Sequence, residues 1–181
     1  MHVYEVSAFT RNDKGGNLAG VIILEDQIDD NLKQEMAAKL NYSETVFVED
    51  IGDNHFNISF FTPNQEVNLC GHGTIACFWL LNKLGLITQE VAFQHTKQGI
   101  LKVIVKDNIL MEMSSPKRLN NVSKDITALL LNINTNEIIN IPQVIEVGLA
   151  DCMVIVKDLA TLNKIVINKD AMIKYCNEND F

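Results

Sequence analysis

The residues best placed to do chemistry lie in the stretch Phe60-Phe61-Thr62-Pro63-Asn64-Gln65-Glu66-Val67-Asn68-Leu69-Cys70-Gly71-His72-Gly73-Thr74. A strand-type run stops at a proline, crosses a polar loop and meets Cys-Gly-His-Gly where a helix begins. The first N–H groups of a helix lack partners within it and form the positive end of its dipole. Gly71 and Gly73 leave room for a carboxylate to approach those amides, which makes the spacing an anion site. A tight loop-to-helix turn accounts for the same glycines without a ligand. At this position the dipole disfavours the imidazolium, so His72 is biased towards the neutral ring, able to donate or accept a proton; a capping histidine is the plain alternative. Cys70 precedes the helix, where a thiolate is stabilised and acts as nucleophile or proton acceptor. Its alternative is a small buried residue, as is Cys77 within the helix.

A second titratable candidate is Glu44, in Asn41-Tyr42-Ser43-Glu44-Thr45-Val46-Phe47-Val48. Strand alternation gives it the same face as Val46 and Val48. An apolar setting disfavours the charged form of a carboxylate and suits it to proton transfer near neutral pH. A solvent-facing glutamate on an edge strand is the ordinary alternative. His2, His55 and His95 fall in strand patterns without carboxylate or cysteine neighbours at ligand spacing, and read as structural. Cys70, Cys77, Cys152 and Cys176 show no C-x-x-C spacing, so neither a zinc knuckle nor a disulfide framework is indicated. Walker, G-x-G-x-x-G and H-E-x-x-H motifs are missing from the sequence, which leaves nucleotide, dinucleotide and zinc chemistry without support.

The elements that must hold these residues follow from periodicity. Strands are expected over 3–7, 19–24, 44–48 and 56–61. A helix capped near Asp29 to Asn31 and closed near Asn41 carries Leu32, Met36 and Leu40 on one face. The helix from Thr74 to Leu84 has Ile75, Ala76, Cys77, Phe78, Trp79, Leu80 and Leu81, apolar on nearly every side. Such a helix belongs in a core, since a membrane span needs about 20 residues. Gly85 ends it. Strands over 91–96, 100–105 and 109–113 then form an antiparallel meander, with Leu101, Val103 and Val105 on one face. Strands predominate over two helices without strict alternation, so the class is α+β. Hydrophobic residues make up 47% and charged residues 21% of the 181 residues, as in an ordinary globular chain. A net charge of −8 and a pI near 4.9 argue against a nucleic-acid partner. The N-terminus runs directly into a strand pattern with no export signal visible, so a cytoplasmic location is expected.

Ser114 to about Asn120 reads as a linker, dividing a complete lobe at residues 1–115 from residues 116–181. In the second part, Asp151-Cys-Met-Val-Ile-Val-Lys-Asp158 echoes Ala19-Gly-Val-Ile-Ile-Leu-Glu-Asp26, each after a Glu-Val pair. Asn168 caps a further helix over 169–176. The echo is either chance between two short strand–helix units or an internal duplication whose second copy stops after its first helix.

Taken together, Ala8-Phe9-Thr10, Gly16-Asn17-Leu18-Ala19, the Ser43-Glu44-Thr45 segment and Phe61-Thr62-Pro63 through Cys70-Gly71-His72-Gly73-Thr74 resemble the phenazine-biosynthesis (PhzF) isomerase-like family. The motifs come in the family's order and spacing, and weaker likeness continues through Val147-Gly148-Leu149. The resemblance implies a fold like that of diaminopimelate epimerase. Two pseudo-symmetric lobes each wrap a barrel-like antiparallel or mixed sheet around a buried central helix, with the active site between them. It also implies proton transfer on a small carboxylate-bearing substrate without metal or organic cofactor. Glu44 matches the family's general acid/base and Gly71-His72 the pair at its helix start, which implies Glu44 and His72 as catalytic residues and Gly71, Gly73, Thr74 and Asn17 as substrate-binding residues.

Two departures from the pattern matter. Gly16-Asn17-Leu18 replaces the family's Gly-Asn-Pro, which affects turn rigidity. The family's acidic and glycine/serine motif, and the central helix of the second lobe, have no counterpart before Phe181. The first lobe is thus expected to be complete and the second partial, leaving the cleft one wall. The expected partner is a homo-oligomer or a second chain supplying the C-terminal half; neither nucleic acid nor membrane is expected. Two other functions stay open. One is a cofactor-independent amino-acid racemase or epimerase using Cys70, although Ser-Glu-Thr favours glutamate chemistry. The other is an inactive truncated lobe acting as a binding module.

Overall fold

The computed structural model describes residues 2–12, 14–147 and 149–179. They divide into two units, Met1–Met113 and Ser114–Phe181. In the first unit the elements run β1 (Val3–Ala8), β2 (Asn17–Leu24), α1 (Asp30–Leu40), β3 (Glu44–Gly52), β4 (His55–Phe61), β5 (Glu66–Val67), α2 (Gly71–Lys83), β6 (Val91–Thr96), β7 (Gly99–Val105) and β8 (Ile109–Met111). They form one mixed sheet in the order β1-β2-β3-β4-β6-β7-β8, with β5 added to β4. The two parallel pairs, β2 with β3 and β4 with β6, are those whose connections contain a helix, as a parallel crossover requires.

The sheet curls around α2, which packs against β1, β2, β3, β7 and β8. Ala76, Cys77, Phe78, Leu80 and Leu81 of α2 join Val21, Val46, Val48, Phe56, Phe60, Ala92 and Val103 in one core. The other face of β2, β3 and β4 sends Ile22, Leu24, Phe47 and Phe61 against Ala37 of α1. Burial on both faces explains why β2 and β3 read as continuous apolar runs rather than alternating ones. α1 starts with the Asp29 carboxylate accepting the Asn31 N–H at 2.8 Å, and ends at Asn41 in the left-handed region. Its buried stripe is Met36, Ala37 and Leu40, whereas Leu32 lies exposed. A four-residue repeat drifts about 40° per turn against the helix period, which carries Leu32 off the stripe.

The expectation that α2 is enclosed all round needs correction. Trp79 is 47% exposed. Because the sheet ends at β1 on one side and β8 on the other, the face of α2 bearing Ile75 and Trp79 looks into a groove of about 530 Å³ bordered by Val6, Ala8 and Ile109. Gly85 ends the helix at φ +72°, and the Leu86 N–H returns to the Leu81 carbonyl at 3.0 Å, as a glycine C′ position allows.

One polar strut crosses this core. Gln94 of β6 is fully buried, and its Oε1 lies 3.0 Å from Thr74 Oγ1, which is in turn 2.8 Å from the Cys70 carbonyl. The Gln94 side-chain nitrogen has no hydrogen-bond partner, a state that costs about 1–3 kcal/mol. The strut ties the first turn of α2 to the β6 wall.

In the second unit, β9 (Lys117–Asn121), α3 (Lys124–Leu131), a 3-10 turn (Thr135–Glu137), β10 (Gln143–Val147), β11 (Leu149–Met153), α4 (Leu159–Asn163) and α5 (Lys169–Asn179) follow one another. The sheet runs β11-β10-β9 and is antiparallel. Residues 117–121 are therefore a strand rather than a linker. Within the echo segment 151–158, the strand β11 ends at Met153, and the Asn140 side chain takes the Ile155 N–H at 2.8 Å. β1–β2 and β10–β11 are both antiparallel pairs. After β11, however, the chain forms α4 and α5 in succession, where the echo called for a single helix. α3 and α4 went unforeseen although Ser123 and Asp158 cap them. Asn168 does cap α5, accepting the Ala171 N–H at 3.2 Å.

Candidate active site

Glu44 is the first residue of β3, and alternation turns it to the α2 side with Val46 and Val48, both fully buried. His72 is the second residue of α2. The two meet, with His72 Nε2 3.1 Å from Glu44 Oε2 and side chains only 12% and 19% exposed. The other ring nitrogen, Nδ1, lies 3.3 Å from Cys70 Sγ. Ser43 Oγ is 3.4 Å from His72 Nε2, 3.1 Å from the Leu18 carbonyl and 3.4 Å from Asn17 Oδ1. The start of β3, the start of α2 and the start of β2 thus bring Asn17, Ser43, Glu44, Cys70 and His72 to one place.

The glycines and Thr74 divide into two groups. Gly71 is exposed, with nothing within 4 Å of where a Cβ would stand. Gly73 is buried, and a Cβ there would lie 3.0 Å from Val46 Cγ2 and 3.2 Å from Phe60 Cδ1. Its glycine is needed for close packing of α2 on the β3–β4 wall, and its N–H goes to Cys70 Sγ at 3.3 Å. Thr74 is fully buried with its hydroxyl held in the Gln94 strut. Gly73 and Thr74 thus lie beneath the first turn of α2 and Gly71 at its open end.

Burial governs the electrostatics. It lowers the His72 pKa below the ordinary value of 6.5, opposed by the adjacent Glu44 carboxylate. Burial also pushes the Cys70 thiol up to about 12; the Gly73 and His72 amides favour the thiolate and the Glu44 charge opposes it. Of the two readings of Cys70, its setting favours the small buried residue over the reactive thiolate, because desolvation outweighs the two N–H groups. Among the described residues, Glu44, Cys70 and His72 are the metal-ligand types whose donor atoms all lie within 4.8 Å of one another. Yet His72 stands between its two partners and turns a different nitrogen to each. One ion at bonding distances of about 2.0–2.3 Å cannot meet all three in that arrangement. It is a hydrogen-bonded row, suited to moving or holding a proton.

With this geometry in hand, comparison with known proteins is informative. The sequence profile of the phenazine biosynthesis-like (PhzC/PhzF) proteins matches residues 6–181. The chain belongs to that family. An uncharacterized isomerase of Clostridium acetobutylicum is 31% identical over 185 residues, covering 96% of this chain and 61% of the relative. An uncharacterized isomerase of Halalkalibacterium halodurans is 42% identical over 101 residues, covering 55% of this chain and 37% of its own length. A crystal structure of a Bacillus anthracis PhzF-family protein superposes with a TM-score of 0.83 at 27% identity, over 92% of this chain and 59% of that one. A probable proline racemase of Agrobacterium radiobacter aligns at a TM-score of 0.58 and 11% identity, over 89% of this chain and 52% of that one; at that distance it shows the fold alone. The α+β class with a PhzF- and epimerase-type curled sheet is thereby established. The chain spans about three fifths of the length of the C. acetobutylicum and B. anthracis proteins.

Within this PhzF-family lobe, sequence reading had not singled out Ser43, although it adjoins Glu44 in the same motif, nor the Cys70–His72 contact. A residue two positions before a helical one touches it only when the cap bends back, which spacing alone does not reveal. His55 and His95, read as structural, pair through Nδ1 and Nε2 at 2.8 Å, and His55 stacks on Phe93 with ring centroids 4.6 Å apart. Among the described residues no helix is long and apolar enough to cross a membrane.

Proposed function

We propose that this chain carries the acid/base half of a cofactor-independent isomerase of the PhzF family. Glu44 moves a proton between two carbons of a small carboxylate-bearing substrate. The carboxylate of Glu44 takes the proton from a C–H bond and returns it, as a carboxylic acid, to another carbon of the same molecule. His72 stays neutral beside it, holding the carboxylate through Nε2. The exposed Gly71 amide and the dipole of α2 receive the substrate carboxylate. Asn17 and Ser43 line the same mouth.

The observation that carries this reading is the 3.1 Å contact between Glu44 and His72 at the open end of α2. It joins two motifs 28 residues apart in sequence, at the first turn of α2. The isomerase names of the relatives support it. A thiol mechanism at Cys70 is not supported, since burial holds that sulfur protonated.

The test is solvent-deuterium incorporation into a panel of small amino and hydroxy carboxylic acids, followed by NMR. Glu44→Gln should reduce incorporation on the order of a hundredfold or more, the range for loss of a general acid/base. Exchange that is unchanged in this variant removes Glu44 from the mechanism. We further propose that a second chain provides the opposite wall of the cleft, in line with the greater length of the relatives.

A further inference from the structure

The mechanism above makes no use of Cys70, yet its sulfur sits at the end of the hydrogen-bonded row. Cys70 is the N-cap of α2, and its Sγ accepts the Gly73 N–H at 3.3 Å. The residue is 7% exposed. The neighbouring side-chain acceptor is His72 Nδ1, also at 3.3 Å. On the far side of the ring, Nε2 faces a Glu44 oxygen at 3.1 Å.

A neutral imidazole has one donor nitrogen and one acceptor nitrogen. If Nδ1 carried the proton, the lone pair of Nε2 would face the Glu44 carboxylate at 3.1 Å, against which stands only the longer 3.4 Å approach of the Ser43 hydroxyl, itself 3.1 Å from the Leu18 carbonyl. If Nε2 carries it, both contacts are hydrogen bonds: the ring donates to Glu44 and accepts from the thiol. We propose that Cys70 is a positioning residue whose S–H donates to His72 Nδ1 and locks the ring in the tautomer that presents Nε2–H to Glu44. Its burial makes it an end stop. The proton on sulfur is not released, so the row cannot carry the substrate's proton away from Glu44. Cys70 thus acts through His72 and touches no substrate.

For its catalytic meaning this inference rests on the Glu44 reading, but its test does not. Heteronuclear NMR of the chain labelled at histidine ring nitrogens reads the tautomer of His72 directly, assigned with His72→Gln as reference. In the native chain at neutral pH, Nε2 should carry the proton and Nδ1 should show the shift of a hydrogen-bonded acceptor. In Cys70→Ala the two nitrogen shifts should move towards each other, as the tautomers mix. Cys70→Ser, which keeps a donor at the cap, should restore the native separation. A native chain protonated at Nδ1 overturns the proposal, as does a Cys70→Ala spectrum with unchanged separation. Should Cys70→Ala not fold, the native tautomer and the Cys70→Ser spectrum decide alone. A chain with the locked tautomer but no deuterium exchange sinks the Glu44 function and leaves the positioning role standing.

Discussion

Two amide N–H groups point at the Cys70 sulfur and both favour the thiolate, but removal from water disfavours the charge more strongly. The result is a thiol held up to about 12 by burial, which behaves as a cap and hydrogen-bond donor rather than a nucleophile. The consequence is chemical selectivity. Iodoacetamide at neutral pH should modify the exposed Cys152 and spare Cys70 and Cys77, both buried free thiols, as mapped by mass spectrometry. Fast alkylation at Cys70 would instead return the thiol mechanism to consideration. At the same scale, Glu44 and His72 show how alternation and helix capping cooperate: one fixes which way a strand residue points, the other where the first helical side chains emerge.

Between elements, the decisive junctions are polar contacts inside apolar packing. The Gln94–Thr74–Cys70 strut sets the first turn of α2 against β6, while Gly73 lets the same turn close on β3 and β4. The second unit has its own junction. Glu137 is 4% exposed and its carboxylate takes Lys164 Nζ at 2.7 Å, Lys157 Nζ at 2.9 Å and the Asn134 N–H at 3.1 Å. Hydrogen bonds from Lys164, then Lys157, then the Asn134 amide, pull its pKa from 4.5 to about 2. A depressed folded-state value means that the charged form is favoured by folding. The stabilisation is therefore complete above pH 4.5, declines between 4.5 and about 2, and is gone below. Thermal melts of the native chain should fall across that window, whereas Glu137→Gln should start lower and fall less. Parallel pH profiles for the two proteins would show that the junction contributes nothing.

For the whole molecule, the relevant fact is the apolar surface left uncovered. In the second unit Leu129, Leu159 and Val166 are 65%, 69% and 65% exposed, and in the first Trp79 looks into the groove between β1 and β8. A contiguous apolar patch of several hundred Å² marks an interaction site, whereas single exposed residues are ordinary. The proposed second chain makes a definite prediction for light scattering: a particle heavier than the 20.3 kDa of one chain, either as a homo-oligomer or with a partner supplying the rest of the family's length. A mass of 20.3 kDa at every concentration would remove the homo-oligomer.

The sequence by itself determined the strands and helices of the first unit apart from the two-residue β5, because their periodicities of two and 3.6 and their caps at Asp29, Asn41 and Gly85 are local signals. It also determined that Glu44 and His72 are the titratable candidates, since each stands at a fixed place in its own motif. Their contact was beyond local reading, as were the burial of Gly73 and Thr74 and the bend that puts Cys70 against His72. Each of these depends on how closely α2 lies to β3, β4 and β6, a distance that no single segment encodes. The same reason explains the end of β11 at Met153 and the exposed Trp79. Where a strand ends and which helix face is covered are decided by the neighbours that tertiary folding supplies.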